Sequence, residues 1–247
     1  MPEDLGPEFG VQVPRVGWVP AGDGSDDAAV EVLELAEMGG REIDPWAEFV
    51  LRAGLQEARP GEWQTRHNMV AVSRQNGKDW QIQDALALAG LFLWGLQKTM
   101  VTAHVFDTAK EGIERLRDLI MECPDLDRKV NNYRTSNGEV QIELTRKEGG
   151  GKCEFRARSA KDTGRGKTGQ LNILNEGQDL LQRHLRAILP TMVAMGGRAQ
   201  AWKLGSAPKL DAPGETGAAW KAQYARRHKR EGRFMLAAWS RAPHRSV

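Results

Sequence analysis

The residues best suited to chemistry are Ser73, Arg74, Gln75, Asn76, Gly77 and Lys78, followed by Asp79. They lie between a short β-like run, Met69-Val70-Ala71-Val72, and an apolar helical pattern over residues 80–96. A strand that delivers such a loop, followed by a helix presenting its positive N-terminus, aims backbone N–H groups at a phosphate, and a lysine in the loop reaches the outer phosphates of a nucleoside triphosphate. Gly77 and Lys78 carry most of that signal. The run departs from G-x-x-x-x-G-K-[ST] at two places, with Val72 at the first glycine and Asp79 at the hydroxyl. An isolated Gly-Lys pair is equally a polar turn entering a helix, so the flanking elements carry the argument.

A rival loop, Gly164-Arg165-Gly166-Lys167-Thr168-Gly169, contains an intact Gly-Lys-Thr. The strand-like Leu171-Asn172-Ile173-Leu174 follows at once, so no helix dipole would face a phosphate there. That strand ends in Asn175-Glu176. An apolar strand ending in an acidic pair supplies magnesium coordination and a residue that orients the attacking water in P-loop ATPases, which makes Glu176 the catalytic candidate. Its bland counterpart is a surface carboxylate ahead of a helix.

The elements that must position these residues follow from periodicity. Helices are expected over residues 45–53, 80–96, 108–121 and 179–189, the third with Ile113, Leu116, Leu119 and Ile120 at helical spacing. Strands are expected over 69–72, 99–105, 171–174 and 201–204; runs 140–144 and 153–158 alternate around Gly149-Gly150-Gly151 as an antiparallel hairpin. Alternating strands and helices point to an α/β fold with a parallel core. His67 and His104 read as packing residues of strands, and Trp46 as a core side chain.

With 247 residues the chain is long enough for one large domain. Cys123 and Cys153 are far apart and lack the spacing of a zinc site or a disulfide framework. The longest apolar stretch, residues 85–96, is shorter than the roughly 20 residues that span a bilayer, and the acidic N-terminus lacks the pattern of a secretory signal. Net charge is only +2, yet residues 145–247 hold 21 Lys+Arg against 8 Asp+Glu. The densest cluster, Arg226-Arg227-His228-Lys229-Arg230, follows Trp220 on a helical pattern and suits either a polyanion backbone or a solvated helix face.

Taken together, these segments resemble the N-terminal ATPase domain of the large terminase subunit of tailed bacteriophages. Residues 73–78 are similar to that family's Arg-Gln-x-Gly-Lys form of the Walker A loop, in which the first glycine is absent. Leu174-Asn175-Glu176-Gly177-Gln178 is similar to its Walker B strand with Asp-Glu-Ala-Gln, and Gly205-Ser206-Ala207-Pro208 resembles its coupling motif. Gly164-Arg165-Gly166 lies where the family carries an arginine that reaches a neighbouring subunit's nucleotide, and Pro45-Trp46 resembles the segment that packs on the adenine. The resemblance covers roughly residues 44–239.

It implies a P-loop NTPase of the RecA-like, ASCE kind, with a mostly parallel central sheet flanked by helices and an added antiparallel hairpin. It further implies ATP and Mg2+, and double-stranded DNA, the portal protein and the small terminase subunit as partners. The subunits would form a homo-oligomeric ring of five when docked at the procapsid portal vertex, with a monomer as the alternative state in solution, working in the host cytoplasm and absent from the mature virion. Residues 1–40 are expected as an acidic, partly flexible arm and 41–247 as the ATPase domain. Asp211, Glu215 and Glu231 are too sparse for the metal site of the nuclease domain that large terminases carry, so no DNA cutting is expected.

On that pattern Arg74 and Lys78 stabilise the β- and γ-phosphates and Glu176 orients water. Asp79 and Asn175 stand where the family has a hydroxyl and a carboxylate, and are expected to exchange roles and hold Mg2+ together. Arg165 acts from a neighbouring subunit, and Ser206, with Gly205 and Ala207, senses the γ-phosphate. Three readings stay open: a packaging-motor ATPase with turnover weak in isolation, another DNA-dependent P-loop translocase, and a nucleotide-binding module with little or no turnover.

Overall fold

The computed structural model describes residues 12–22, 24–135, 140–158, 169–206, 220–222, 225 and 232–239. Its centre is a nine-stranded sheet in the order β1-β11-β4-β10-β9-β5-β8-β7-β6. The middle strands, β11 (Phe234–Ala238), β4 (His67–Ala71), β10 (Gln200–Gly205), β9 (Leu171–Leu174), β5 (Lys98–Ala103) and β8 (Lys152–Ala157), run parallel. β1 (Val16–Trp18) closes one side antiparallel, and β7 (Val140–Leu144) and β6 (Val130–Arg134) close the other. The hairpin expected around Gly149-Gly150-Gly151 is the β7–β8 pair. β2 (Glu57–Arg59) and β3 (Glu62–Trp63) form a separate antiparallel pair.

Residues of the parallel strands are apolar on both faces because both faces are covered. On β4, Val70 points into the larger cluster, which holds residues of α1 (Asp27–Met38), α2 (Pro45–Gly54), α3 (Asp84–Phe92), α4 (Phe106–Glu122) and the short α5 (Pro124–Asp127). Met69 and Ala71 point the other way, towards Trp220 and Phe234. Similarly, Ile173 of β9 joins the larger cluster, whereas Leu174 packs with Leu180, Ile188 and Met192 around α6 (Gln182–Ala194). Part of the segment expected as an N-terminal arm is thereby built into the fold, as strand β1 and helix α1.

Three expectations differ in detail. The pattern over residues 80–96 is not one helix: a π-helical turn, Asp79–Gln83, precedes α3, which stops at Phe92. Gly95 takes φ +56, and the apolar Trp94 and Leu96 pack on the core from a loop, so their hydrophobicity does not extend the helix. α6 runs through Pro190 instead of ending before it; its last turn is held by Met192, which is 1% exposed. β5 ends at Ala103, leaving His104 exposed at the strand's end instead of packed within it.

Candidate nucleotide-binding site

The residues expected to form a phosphate loop connect the end of β4 to the π-helical turn. Val72 N–H still bonds to Gly205 O at 3.0 Å, so the loop leaves the sheet directly beside the end of β10. Ser73, Arg74, Gln75 and Asn76 are exposed. Gln75 and Gly77 both adopt positive φ, +64 and +73. A left-handed residue costs about 1–2 kcal/mol when it is not glycine, and a Cβ at Gly77 would meet Trp80 Nε1 at 2.7 Å. Glycine is therefore required at 77 on two grounds. Gly77 O then accepts from the N–H groups of Trp80 and Gln81, starting the helical turns.

Gln81 ties that start to the segment before α2, its side chain accepting Asp44 N–H at 2.8 Å and donating to the Asp44 carboxylate. One turn further, Asp84 is fully buried and paired with Arg115 of α4. Burial pushes the Asp84 carboxyl up, and the Arg115 guanidinium opposes that shift. The helix behind the loop is thus fixed at its base from both sides. Trp46 is 7% exposed and meets Trp239 edge-on at 5.5 Å, which agrees with its reading as a core side chain.

The end of β9 lies directly opposite the loop. Asn175 Nδ2 donates to Asp79 Oδ1 at 2.7 Å, and Lys78 Nζ sits 3.2 Å from Asp79 Oδ2. Lys78, Asp79 and Asn175 are therefore in contact, with Glu176 next to Asn175 at the end of β9. Glu176 takes φ +51 and ψ +49. Its N–H donates to Asn175 Oδ1 at 2.8 Å, and its carboxylate accepts the backbone N–H of His104 at 2.6 Å. Non-glycine residues held in the left-handed region cluster at functional sites. Beside this turn, Gln178 Oε1 accepts Ser206 N–H at 3.1 Å. A Cβ on Gly205 would come within 2.5 Å of that same oxygen. The end of β10, which stands between β4 and β9, thus touches the segment that follows Glu176.

The geometry separates the two residues expected to hold magnesium. Asn175 Oδ1 is occupied by Glu176 N–H, so the carboxamide turns its nitrogen, not its oxygen, towards Asp79. Asp79 keeps a carboxylate whose side chain is 38% exposed. Mg2+ at phosphate sites keeps several waters and needs only one or two carboxylates beside the phosphate oxygens, so Asp79 fits such a cation and Asn175 fits the task of orienting Asp79. Among the described residues no group of three or more His, Cys, Asp or Glu side chains could hold a metal ion by itself.

Arg165, Ala207 and the cluster Arg226-Arg227-His228-Lys229-Arg230 lie outside the described residues. Two participants in the site gave no sequence signal: His104, which contributes a main-chain N–H, and Arg158, whose guanidinium reaches the carbonyl of Glu176 at 3.2 Å. Both act through the backbone, where no residue type announces the contact. Among the described residues no helix is long and apolar enough to cross a membrane.

The sequence matches no family model and no curated protein. Solved structures do match. The large terminase of bacteriophage HK97 superposes with a TM-score of 0.61 at 14% identity, over 91% of this chain and 45% of that one. The large terminase ATPase domain of Thermus phage P74-26 gives 0.55 at 19% identity, over 71% of this chain and 69% of that one. A mutant form of that domain gives 0.53 at 16% identity, over 72% and 70%. The chain thus spans less than half the length of the HK97 protein. With its mostly parallel sheet, flanking helices and antiparallel borders, this chain has the α/β fold of the ATPase domains of phage large terminases.

Proposed function

We propose that this chain is the ATPase motor of a phage large terminase, hydrolysing ATP to drive double-stranded DNA into a procapsid. The observation that supports the reading is the 2.7 Å bond between Asn175 and Asp79, residues 96 positions apart, which holds the end of β9 against the loop that follows β4. Lys78 and Arg74 bind the β- and γ-phosphates, the loop N–H groups and the helix start add positive potential, and Glu176 orients water for in-line attack. Asp79 would hold Mg2+, whose charge would offset that of the phosphates. Ser206, bonded through Gln178 to the turn after Glu176, passes the loss of the γ-phosphate to the rest of the chain, and Arg165 serves a neighbouring subunit's nucleotide. Duplex DNA, the portal protein, the small subunit and a five-membered ring at the portal vertex in the host cytoplasm complete the proposal.

A second reading, a nucleotide-binding module with little turnover, is favoured by one observation. Both oxygens of Asp79 face nitrogen donors of the protein, Asn175 Nδ2 and Lys78 Nζ, so the loop lysine is engaged internally. Phosphate release by wild type, Lys78→Ala and Glu176→Ala, with and without duplex DNA, separates the two. Removing one preorganised group from a transition state costs about 10²–10³ in rate, so each variant is expected to fall by about 100-fold or more. Wild-type turnover no faster than Glu176→Ala would leave the binding module as the better account.

A further inference from the structure

Arg158 stands just past the end of β8, two strands away from Glu176. Its own N–H continues the ladder to Ala103 O at 2.8 Å, and its side chain then crosses the end of β5. Nη1 donates to Thr102 O at 2.8 Å and to Thr102 Oγ1 at 3.0 Å, while Nη2 donates to Glu176 O at 3.2 Å. Thr102 O also accepts Asn175 N–H at 2.8 Å. One guanidinium therefore joins the ends of β8, β5 and β9 where the acidic residue projects. Only a planar fork with several fixed donors makes all these bonds at once.

Glu176 is held at each of its other polar points by groups already described: its N–H by Asn175 and its carboxylate by His104. The carbonyl is the third point: it accepts Asp179 N–H at 3.0 Å within the turn, and among the described residues Arg158 is the side chain that ties it to the neighbouring strands. Burial lowers the Arg158 pKa to about 10, opposed by the nearby charges of Glu176 and Asp179, so the guanidinium remains charged at neutral pH. Its Nε finds no partner among the described residues, so burying this side chain is not favourable for its own hydrogen bonding. A surface arginine with a purely solvating role would not be placed this way.

We propose that Arg158 is a positioning residue: it clamps the left-handed turn at Glu176 so that the carboxylate keeps the position from which it would orient water. This rests on the reading of Glu176 as the water-orienting residue. The clamp acts on geometry and not on nucleotide binding, so its loss should separate the two.

Amide hydrogen exchange and steady-state kinetics test it together, on Arg158→Met, Arg158→Lys and Glu176→Gln beside the wild type. In Arg158→Met, exchange in the segment 174–180 is expected to quicken by about tenfold or more, with that of β4 and α3 unchanged. For the same variant kcat should fall by about tenfold or more with the KM for ATP within about twofold, and Arg158→Lys, which keeps the charge but not the fork, should fall between. Introduced into Glu176→Gln, Arg158→Met should add no further loss. If Arg158→Met does not fold, the lysine variant carries both measurements. Unchanged exchange over 174–180, or a fall in kcat matched by an equal loss of nucleotide affinity, overturns the clamp. A Glu176→Gln variant as active as wild type instead overturns the reading of Glu176, whatever the exchange at 174–180 shows.

Discussion

Asp79 is the residue at which this chain departs most from the usual phosphate loop, and its environment decides what the departure does. A carboxylate 3.2 Å from Lys78 offsets the charge that, on the proposed function, meets the γ-phosphate, and a Coulomb term at that distance is large only where water is scarce. Asp79 is partly exposed, so the interaction is of the order of 1 kcal/mol. Replacing it by asparagine frees Lys78, and nucleotide affinity measured calorimetrically in a chelator should rise by about three- to tenfold. The gain in affinity on adding Mg2+ should shrink at the same time, because the one fitting carboxylate is gone. An affinity in chelator that stays level or drops would show that Asp79 does not restrain the lysine. At this scale the sequence was readable where residue type sets the geometry: Gly77 takes the positive φ expected of a turn glycine, and Lys78 and Asn175 both meet Asp79. It could not disclose that Asn175 presents nitrogen, since that orientation is set by the N–H of Glu176, a main-chain group.

Between elements, the parallel core is drawn together by charge as well as by apolar contact. Glu154 of β8 is 4% exposed and lies 2.9 Å from Lys98 of β5, 2.7 Å from Lys152 and 3.1 Å from Arg156. Burial alone would raise its pKa, but hydrogen bonds from Lys152 and Lys98 and the charges of Lys98 and Arg156 win, holding it at about 2 against an ordinary 4.5. A carboxyl depressed by folding contributes stability that is complete above its unfolded pKa and is lost as pH falls through the folded one. Urea denaturation should therefore show wild type losing stability from pH 4.5 towards 2, and Glu154→Gln should flatten that part of the profile. At pH 7 the variant should be less stable by about 1–3 kcal/mol, the size of hydrogen bonds to charged groups. A profile as steep as the wild type's would place the acid sensitivity elsewhere. Strands whose apolar residues recur with little interruption or in strict alternation were legible to the residue: β9, Leu-Asn-Ile-Leu, and β7, Val-Gln-Ile-Glu-Leu, lie at the expected positions. β6, Val-Asn-Asn-Tyr-Arg, gave no alternation, and β11 was hidden behind a helical pattern that begins at Trp220. Pairing with β7 and β4 makes them strands, which is a tertiary fact.

For the molecule as a whole, sheet direction and charge run along the same chain. β4, β10, β9, β5 and β8 are parallel, so their C-terminal ends fall on one edge, and that edge carries the phosphate loop, Ser206, Asn175-Glu176, His104 and Arg158. Ligands of open α/β sheets bind at that edge. Residues 1–144 hold 14 Lys+Arg against 25 Asp+Glu, while 145–247 hold 21 against 8, so the near-zero net charge hides two opposed halves. A chain that grips duplex DNA in a sequence-independent way needs such a basic region, and every phosphate neutralised contributes about −0.9 to the slope of log affinity against log salt. Replacing Arg226, Arg227, Lys229 and Arg230 by alanine removes four of those cations. Anisotropy titrations of a short duplex over a range of salt should then give weaker binding and a slope shallower by about 2–4, with nucleotide affinity unchanged. A slope that does not move would exclude this cluster from the DNA track. On the proposed function the duplex would then have to meet another part of the basic half, and the proposed coupling from Glu176 through Gln178 and Ser206 would need a different endpoint.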